Sequence, residues 1–229
     1  MTSSIDRTGR RTFIAGVGAS IAIGFLPVSA RAQGLGLGRI LGRASDNALD
    51  KLAQPGAFYN DENIRIGLPI VGGLGGRSGG LLGSLMSAGN RLGVLGPITR
   101  EINDAAGVAA GEAKPIFRDA IDNLSFSDAP GIIREEDGGT QYLRRSSNNR
   151  LHAALQPLID SALDRAGVYR TFDGLADEHS FIRDAGLSRE RINRSITDQG
   201  LAGIFEYIGA EERSFRDNPL GGLGNLLGS

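Results

Sequence analysis

Cysteine is absent from the 229 residues, lysine occurs only at Lys51 and Lys114, and histidine only at His152 and His179. Without cysteine no disulfide braces the fold, although an oxidising compartment is permitted. A lipid anchor at the leader is excluded too, since acylation there needs a cysteine at the cleavage point. Two histidines rule out zinc sites built on several imidazoles. Neither HExxH nor ExxH occurs, which removes the usual di-iron helix signature. The dense glycine cluster Gly72–Gly83 has no lysine near it, so it is no phosphate loop of the GxxxxGK[ST] kind. It reads as a flexible loop. Arginine supplies all the other basic residues, a bias read as compositional.

What is present begins with an export signal. Residues 1–12 carry Arg7, Arg10 and Arg11 against Asp6, and no charge follows from Phe13 to Val28. Ala30-Arg31-Ala32 then places small residues, Ala30 and Ala32, where a signal peptidase needs them. Adjacent Arg10-Arg11 before Thr12-Phe13-Ile14 matches a twin-arginine leader. Residues 1–32 are therefore expected to be a signal peptide of twin-arginine type, and the mature protein to start near Gln33. The alternative is an uncleaved membrane anchor. It is disfavoured because the run is shorter than the ~20 residues of a spanning helix and Pro27 ends it.

The formal charge moves from −1 to −4 once the four arginines and one aspartate of residues 1–32 are gone. Mild acidity argues against nucleic-acid binding, which favours a basic face. No later stretch is apolar and long enough to cross a bilayer. Residues 33–229 are expected to form one helical domain with its core at about 36–220.

Apolar spacing of three and four predicts the helices. Ile40, Leu41, Ala44, Ala48, Leu49 and Leu52 form one stripe, stopped by Pro55-Gly56. Ile64, Ile66 and Leu68 alternate, which predicts a short extended segment. A weaker helix is expected over Leu81–Met86. Residues 97–113 follow, with a face of small side chains at Ala105, Ala106 and Ala109 on which another helix can sit closely. Pro115 opens the next helix, to Leu124. Ser127 or Asp128 is expected to cap another, which Gly138-Gly139 ends. Thr140–Ala166 is the most regular period. Leu151, Leu155, Leu158, Ile159 and Leu163 form its inner stripe, Arg150, Gln156, Asp160 and Asp164 its solvated side, and Pro157 a kink. Gly167 stands where a left-handed cap is expected. A helix near Tyr169–Ala176, a polar turn and a last helix over Ser188–Arg216 complete the chain, and Asn218-Pro219 ends it. Glycines at 34, 36 and 38 and at 221, 222, 224 and 228 read as tails. The expected fold is all-α, a single helical domain of about six to eight helices with a glycine-rich loop and glycine-rich tails.

Candidate chemistry is sparse. Asp177-Glu178-His179 reads as a solvated turn, and Asp119 with Asp122 as surface charges beside Arg118. Glu212 and Arg216 stand four apart, which supports a helix by a few tenths of a kcal/mol, roughly.

Several segments carry a family resemblance. They are Phe58-Tyr59-Asn60 leading into Ile64-Arg65-Ile66-Gly67-Leu68-Pro69, and Ile102-Asn103-Asp104-Ala105-Ala106 running to Ala113-Lys114-Pro115-Ile116-Phe117. Thr140-Gln141-Tyr142-Leu143-Arg144, Leu155-Gln156-Pro157, Gly203-Ile204-Phe205, Glu211-Glu212 and Asn218-Pro219 complete the set. In order and spacing the chain resembles, over about residues 36–220, the exported bacterial family catalogued as domain of unknown function 4197. It departs from that pattern at Gly72–Gly83 and in its glycine-rich C-terminus. The resemblance implies a helical envelope protein with no assigned activity, so no catalytic, metal or cofactor residue carries over.

The expected function is that of a periplasmic, non-enzymatic module binding an envelope partner or a small ligand. The twin-arginine translocase and signal peptidase are its partners during export, and no cofactor is implied. The alternative is an envelope hydrolase or carboxylate-dependent metal enzyme using residues such as Asp119 and Glu212. The two diverge on whether Asn103, Thr140, Tyr142, Arg144, Glu212 and Arg216 meet in one concave pocket.

Overall fold

The computed structural model describes residues 28–68, 95–125, 135–184 and 188–217. Outside them lie Arg10, Arg11, the loop expected at Gly72–Gly83, the helix expected at Leu81–Met86, the cap expected at Ser127 or Asp128, Asn218-Pro219 and the C-terminal glycines.

The helical periods produce helices. In chain order they are α1 (Val28–Leu52), α2 (Ala57–Asn60), α3 (Leu95–Glu112), α4 (Lys114–Asp122), α5 (Gly138–Arg165), α6 (Val168–Glu178), α7 (Ser180–Asp184) and α8 (Arg189–Asp217). No strand occurs among the described residues, so the fold is all-α. Helix α8 packs along both α1 and α5, α3 lies against α5 and α2, and α4 bridges α1 and α5. One apolar core joins them, from Leu41 and Leu49 of α1 to Leu155 of α5 and Ile204 of α8, with Phe117 edge-on to Phe205. No helix of the described residues is long and apolar enough to cross a membrane.

Two glycines supply backbone that other residues resist. After Pro55, Gly56 has φ +76, and Gly167 between α5 and α6 has φ +79, both left-handed. The stops predicted at these points are therefore real turns of the chain.

Three local expectations are corrected, and a fourth is met from within the chain. Helix α1 starts at Val28, not near Ile40, and runs through Gly34, Gly36 and Gly38. Leu37 is buried in this stretch, and packing of one face outweighs weak propensity. The expected cut after Ala32 consequently falls within α1. Gly138 and Gly139 begin a helix instead of ending one. The expected polar turn after α6 contains α7, whose Ile182 is buried. The small face of α3 is occupied by the chain itself: Ala105, Ala106 and Ala109 are buried, and a Cβ on Gly107 would stand 3.2 Å from the Leu52 carbonyl oxygen. That face offers nothing to an outside partner.

Candidate functional site

Helix α5 has no cap from its own neighbourhood. Asp137 stands at its N-cap position without capping it, because its carboxylate accepts from Arg213 Nη1 at 2.9 Å. The orphan N–H groups of a helix start need an acceptor. Glu212 of α8 provides it. Its Oε1 accepts from the Gly139 N–H at 3.0 Å, and its Oε2 from the Thr140 N–H at 2.7 Å and the Thr140 hydroxyl at 2.8 Å. Arg216 donates to Oε1 from Nη2 at 2.6 Å and from Nε at 3.2 Å. The Glu212 side chain is fully buried and that of Arg216 is 20% exposed. A buried carboxylate is costly unless paired and hydrogen-bonded. Here it has a cation, three donors from α5 and the positive end of a helix dipole. Gly139 is needed for this approach, as a Cβ there would stand 2.9 Å from Glu212 Oε1. Sequence spacing pairs Glu212 with Arg216 as a surface contact; the structure makes the pair an internal cap.

A second framework device holds the segment Arg65–Leu68, which follows a turn and has no regular secondary structure. Asn103 of α3, also buried, accepts from the Ile66 N–H at 2.8 Å and donates to the Ile66 carbonyl at 2.9 Å and the Thr99 carbonyl at 2.7 Å. Gln199 of α8 treats Gly67 the same way, accepting from its N–H at 2.9 Å and donating to its carbonyl at 3.1 Å. Each side-chain amide thus replaces the peptide group a neighbouring strand would offer. Ile64 and Ile66 point into the core meanwhile.

The remaining matched residues lie apart. Tyr142 donates from its hydroxyl to the Ser125 carbonyl at 2.7 Å, tying α5 to the end of α4. The Arg144 guanidinium rests over the Phe205 ring, 5.7 Å from its centroid. Of the six polar candidates, Thr140, Glu212 and Arg216 converge, in a closed junction; Asn103, Tyr142 and Arg144 do not join them. Asp119 is elsewhere again, bonded to Arg150 Nη2 at 3.2 Å, and shares no partner with Glu212. Asp177 and Glu178 are solvent-exposed as expected but belong to the last turn of α6 instead of a loop turn, and His179 is the C-cap of that helix. Among the described residues no group of three His, Cys, Asp or Glu side chains could hold a metal ion.

The site that sequence reasoning missed lies at the other end of the α5–α8 pair. Asp160, assigned to the solvated side of α5, is a hub. It accepts from the Tyr169 hydroxyl at 2.7 Å, from Arg189 Nη2 at 3.0 Å and Nε at 3.2 Å, and from Asn193 Nδ2 at 3.4 Å. Arg189 Nη1 also reaches Asp164 at 3.2 Å, and its guanidinium lies over the Tyr169 ring at 4.1 Å. The Arg189 guanidinium holds the Asp160 carboxyl below the usual carboxylate range. Burial, then the bond to Asp160, pushes the Tyr169 phenol up. These groups border two open clefts that share Arg189. One of about 410 Å³ is lined by Gln156, Pro157, Asp160, Arg189, Glu190 and Asn193. The other, of about 390 Å³, takes in Tyr169, Phe172, Ile182 and Ile192. Gln156 and Pro157 belong to the matched segments, but no local spacing relates them to Arg189.

The fold is all-α, and Asn103, Thr140, Tyr142, Glu212 and Arg216 hold its helices and loops in place. Residues 28–229 match the model of the family described as Protein of unknown function (DUF4197), and the chain belongs to that family. The match extends beyond the 36–220 read from the quoted segments, at both ends. No curated protein and no solved structure matches the chain.

Proposed function

We propose that this protein is an exported, non-enzymatic module of the bacterial envelope that binds a small ligand in the clefts beside Arg189. One observation carries the reading: Asn103, Thr140, Tyr142, Arg144, Glu212 and Arg216 are engaged in capping, pinning and packing, whereas Gln156, Asp160, Arg189 and Asn193 line open space. Fixed polar groups beside apolar walls are what ligand sites have in common. The hydrolase or metal-enzyme alternative uses carboxylates such as Asp119 and Glu212, and each of these two is engaged elsewhere. Glu212 is enclosed by five donor contacts and Asp119 is bound to Arg150 on another helix. Export rests on Arg10-Arg11 and the apolar run after it.

Both parts are testable in cells producing the full chain. The periplasmic fraction should contain a processed protein starting near Gln33, and replacing Arg10 and Arg11 together by lysine should leave precursor in the cytoplasm. Precursor retained in the cytoplasm by the parent itself refutes export. Native mass spectrometry of the recovered protein should show a bound small molecule that Arg189→Gln releases. An adduct indifferent to Arg189→Gln, or none at all, refutes the cleft.

A further inference from the structure

The cleft of about 390 Å³ beside Arg189 is walled by α6, α7 and α8, a size within the roughly 300–1,000 Å³ of small-molecule pockets. Phe172, Ile182 and Ile192 supply its apolar lining, one from each helix, and all three are core residues. Packing therefore fixes them before any ligand arrives. The charged lining is Asp173, Arg183 and Arg189. Arg189 is already engaged by Asp160, Asp164 and the Tyr169 ring, so it acts as a wall. Asp173 on α6 and Arg183 on α7 are exposed, and neither makes an ion pair with the other or with any further described side chain.

Two opposite charges thus line one cleft without neutralising each other. An anion drawn to Arg183 is opposed by Asp173, and a cation drawn to Asp173 is opposed by Arg183. A ligand carrying both charges meets no such opposition. Its carboxylate takes the flat fork of a guanidinium in a bidentate, charge-assisted bond, and its ammonium donates to the aspartate. The apolar lining calls for a third group, one that gains from leaving water. An α-amino acid carries all three on a single carbon.

We propose, on the reading of the Arg189 clefts as ligand sites, that this one binds a free α-amino acid with an apolar side chain. Arg183 holds the carboxylate, Asp173 the ammonium, and Phe172, Ile182 and Ile192 the side chain.

The test uses protein recovered from cells producing the full chain, with ¹³C-labelled isoleucine methyl groups. L-leucine is titrated in, then 4-methylpentanoate, which lacks its amino group, and 3-methylbutylamine, which lacks its carboxylate. Saturable shifts of the Ile182 and Ile192 signals are expected with leucine. Either analogue should bind about tenfold more weakly or worse, as for loss of a charge-assisted hydrogen bond. Arg183→Gln should weaken leucine by a similar factor without weakening the amine; Asp173→Asn should weaken leucine without weakening 4-methylpentanoate. Leucine shifts that never saturate, analogues that bind as well as leucine, or leucine binding indifferent to both variants overturn the site. The two readings fail separately. An adduct in native mass spectrometry that Arg189→Gln releases, with no leucine shift, overturns the amino acid and leaves the cleft standing. No adduct and no shift overturn both.

Discussion

The α5–α8 pair is tied at both ends by a carboxylate and an arginine, and the two ties differ in almost everything but composition. Near the C-terminus of α8, Glu212 is fully buried against the first turn of α5. Near its N-terminus, Arg189 meets Asp160 of α5 with side chains 47% and 40% exposed. The helices therefore run antiparallel, closed at one end and open at the other. A closed tie leaves an uncompensated charge inside the protein when broken, whereas solvent takes over the partners of an open one. The open end can consequently exchange its contacts for a ligand's; the closed end cannot without loosening the fold.

Removing the closed tie should have the largest effect. Glu212→Ala strands Arg216 and the first N–H groups of α5, and should cost about 3–5 kcal/mol, the range for breaking a buried pair. Urea melts beside the parent check it; a loss below about 1 kcal/mol would make this end equivalent to the open one. Gly139→Ala leaves every charge in place but pushes a methyl group against Glu212. It should cost about 1–3 kcal/mol, as overpacking does, with the effect largely gone in a Glu212→Ala background. Additive losses would mean that Gly139 matters for another reason.

Asp160→Ala should be milder, about 0.5–1 kcal/mol after allowance for solvent screening. That still exceeds the indifference expected of a merely solvated residue. Equal midpoints for Asp160→Ala and the parent would show the hub contributes nothing to stability. The smallest effect is the acid response of the same group. Its folded-state pKa lies below the ordinary value, so its contribution is complete above the unfolded pKa of about 3.9 and disappears as pH falls through the folded one. The stability gap between the parent and Asp160→Asn should thus hold from neutral pH to about pH 5 and close below about pH 4. A gap that widens in acid would reverse the sign of the interaction.

These ends also show where reading along the chain succeeds. Leu151, Leu155, Ile159 and Leu163 of α5 are buried as their spacing predicts, with Leu158 half-buried at the margin. Gly167 has the left-handed backbone expected of it. Asp160 sits on the polar side of the same helix, yet its fate is set by Tyr169 on α6 and Arg189 on α8. Glu212 looks like a surface partner of Arg216 until the start of α5 is brought to it.

The helices, their apolar faces and several of their stops are legible along the chain, because periodicity and turn chemistry act over a few residues. Which polar group meets which is settled by the packing of the helices. Whether a carboxylate such as Glu212 caps a helix, or an amide such as Asn103 replaces a missing strand, depends on backbone groups dozens of residues away. Those groups leave no mark on local spacing, since burial and distance, set by how the helices pack, give a polar side chain its role.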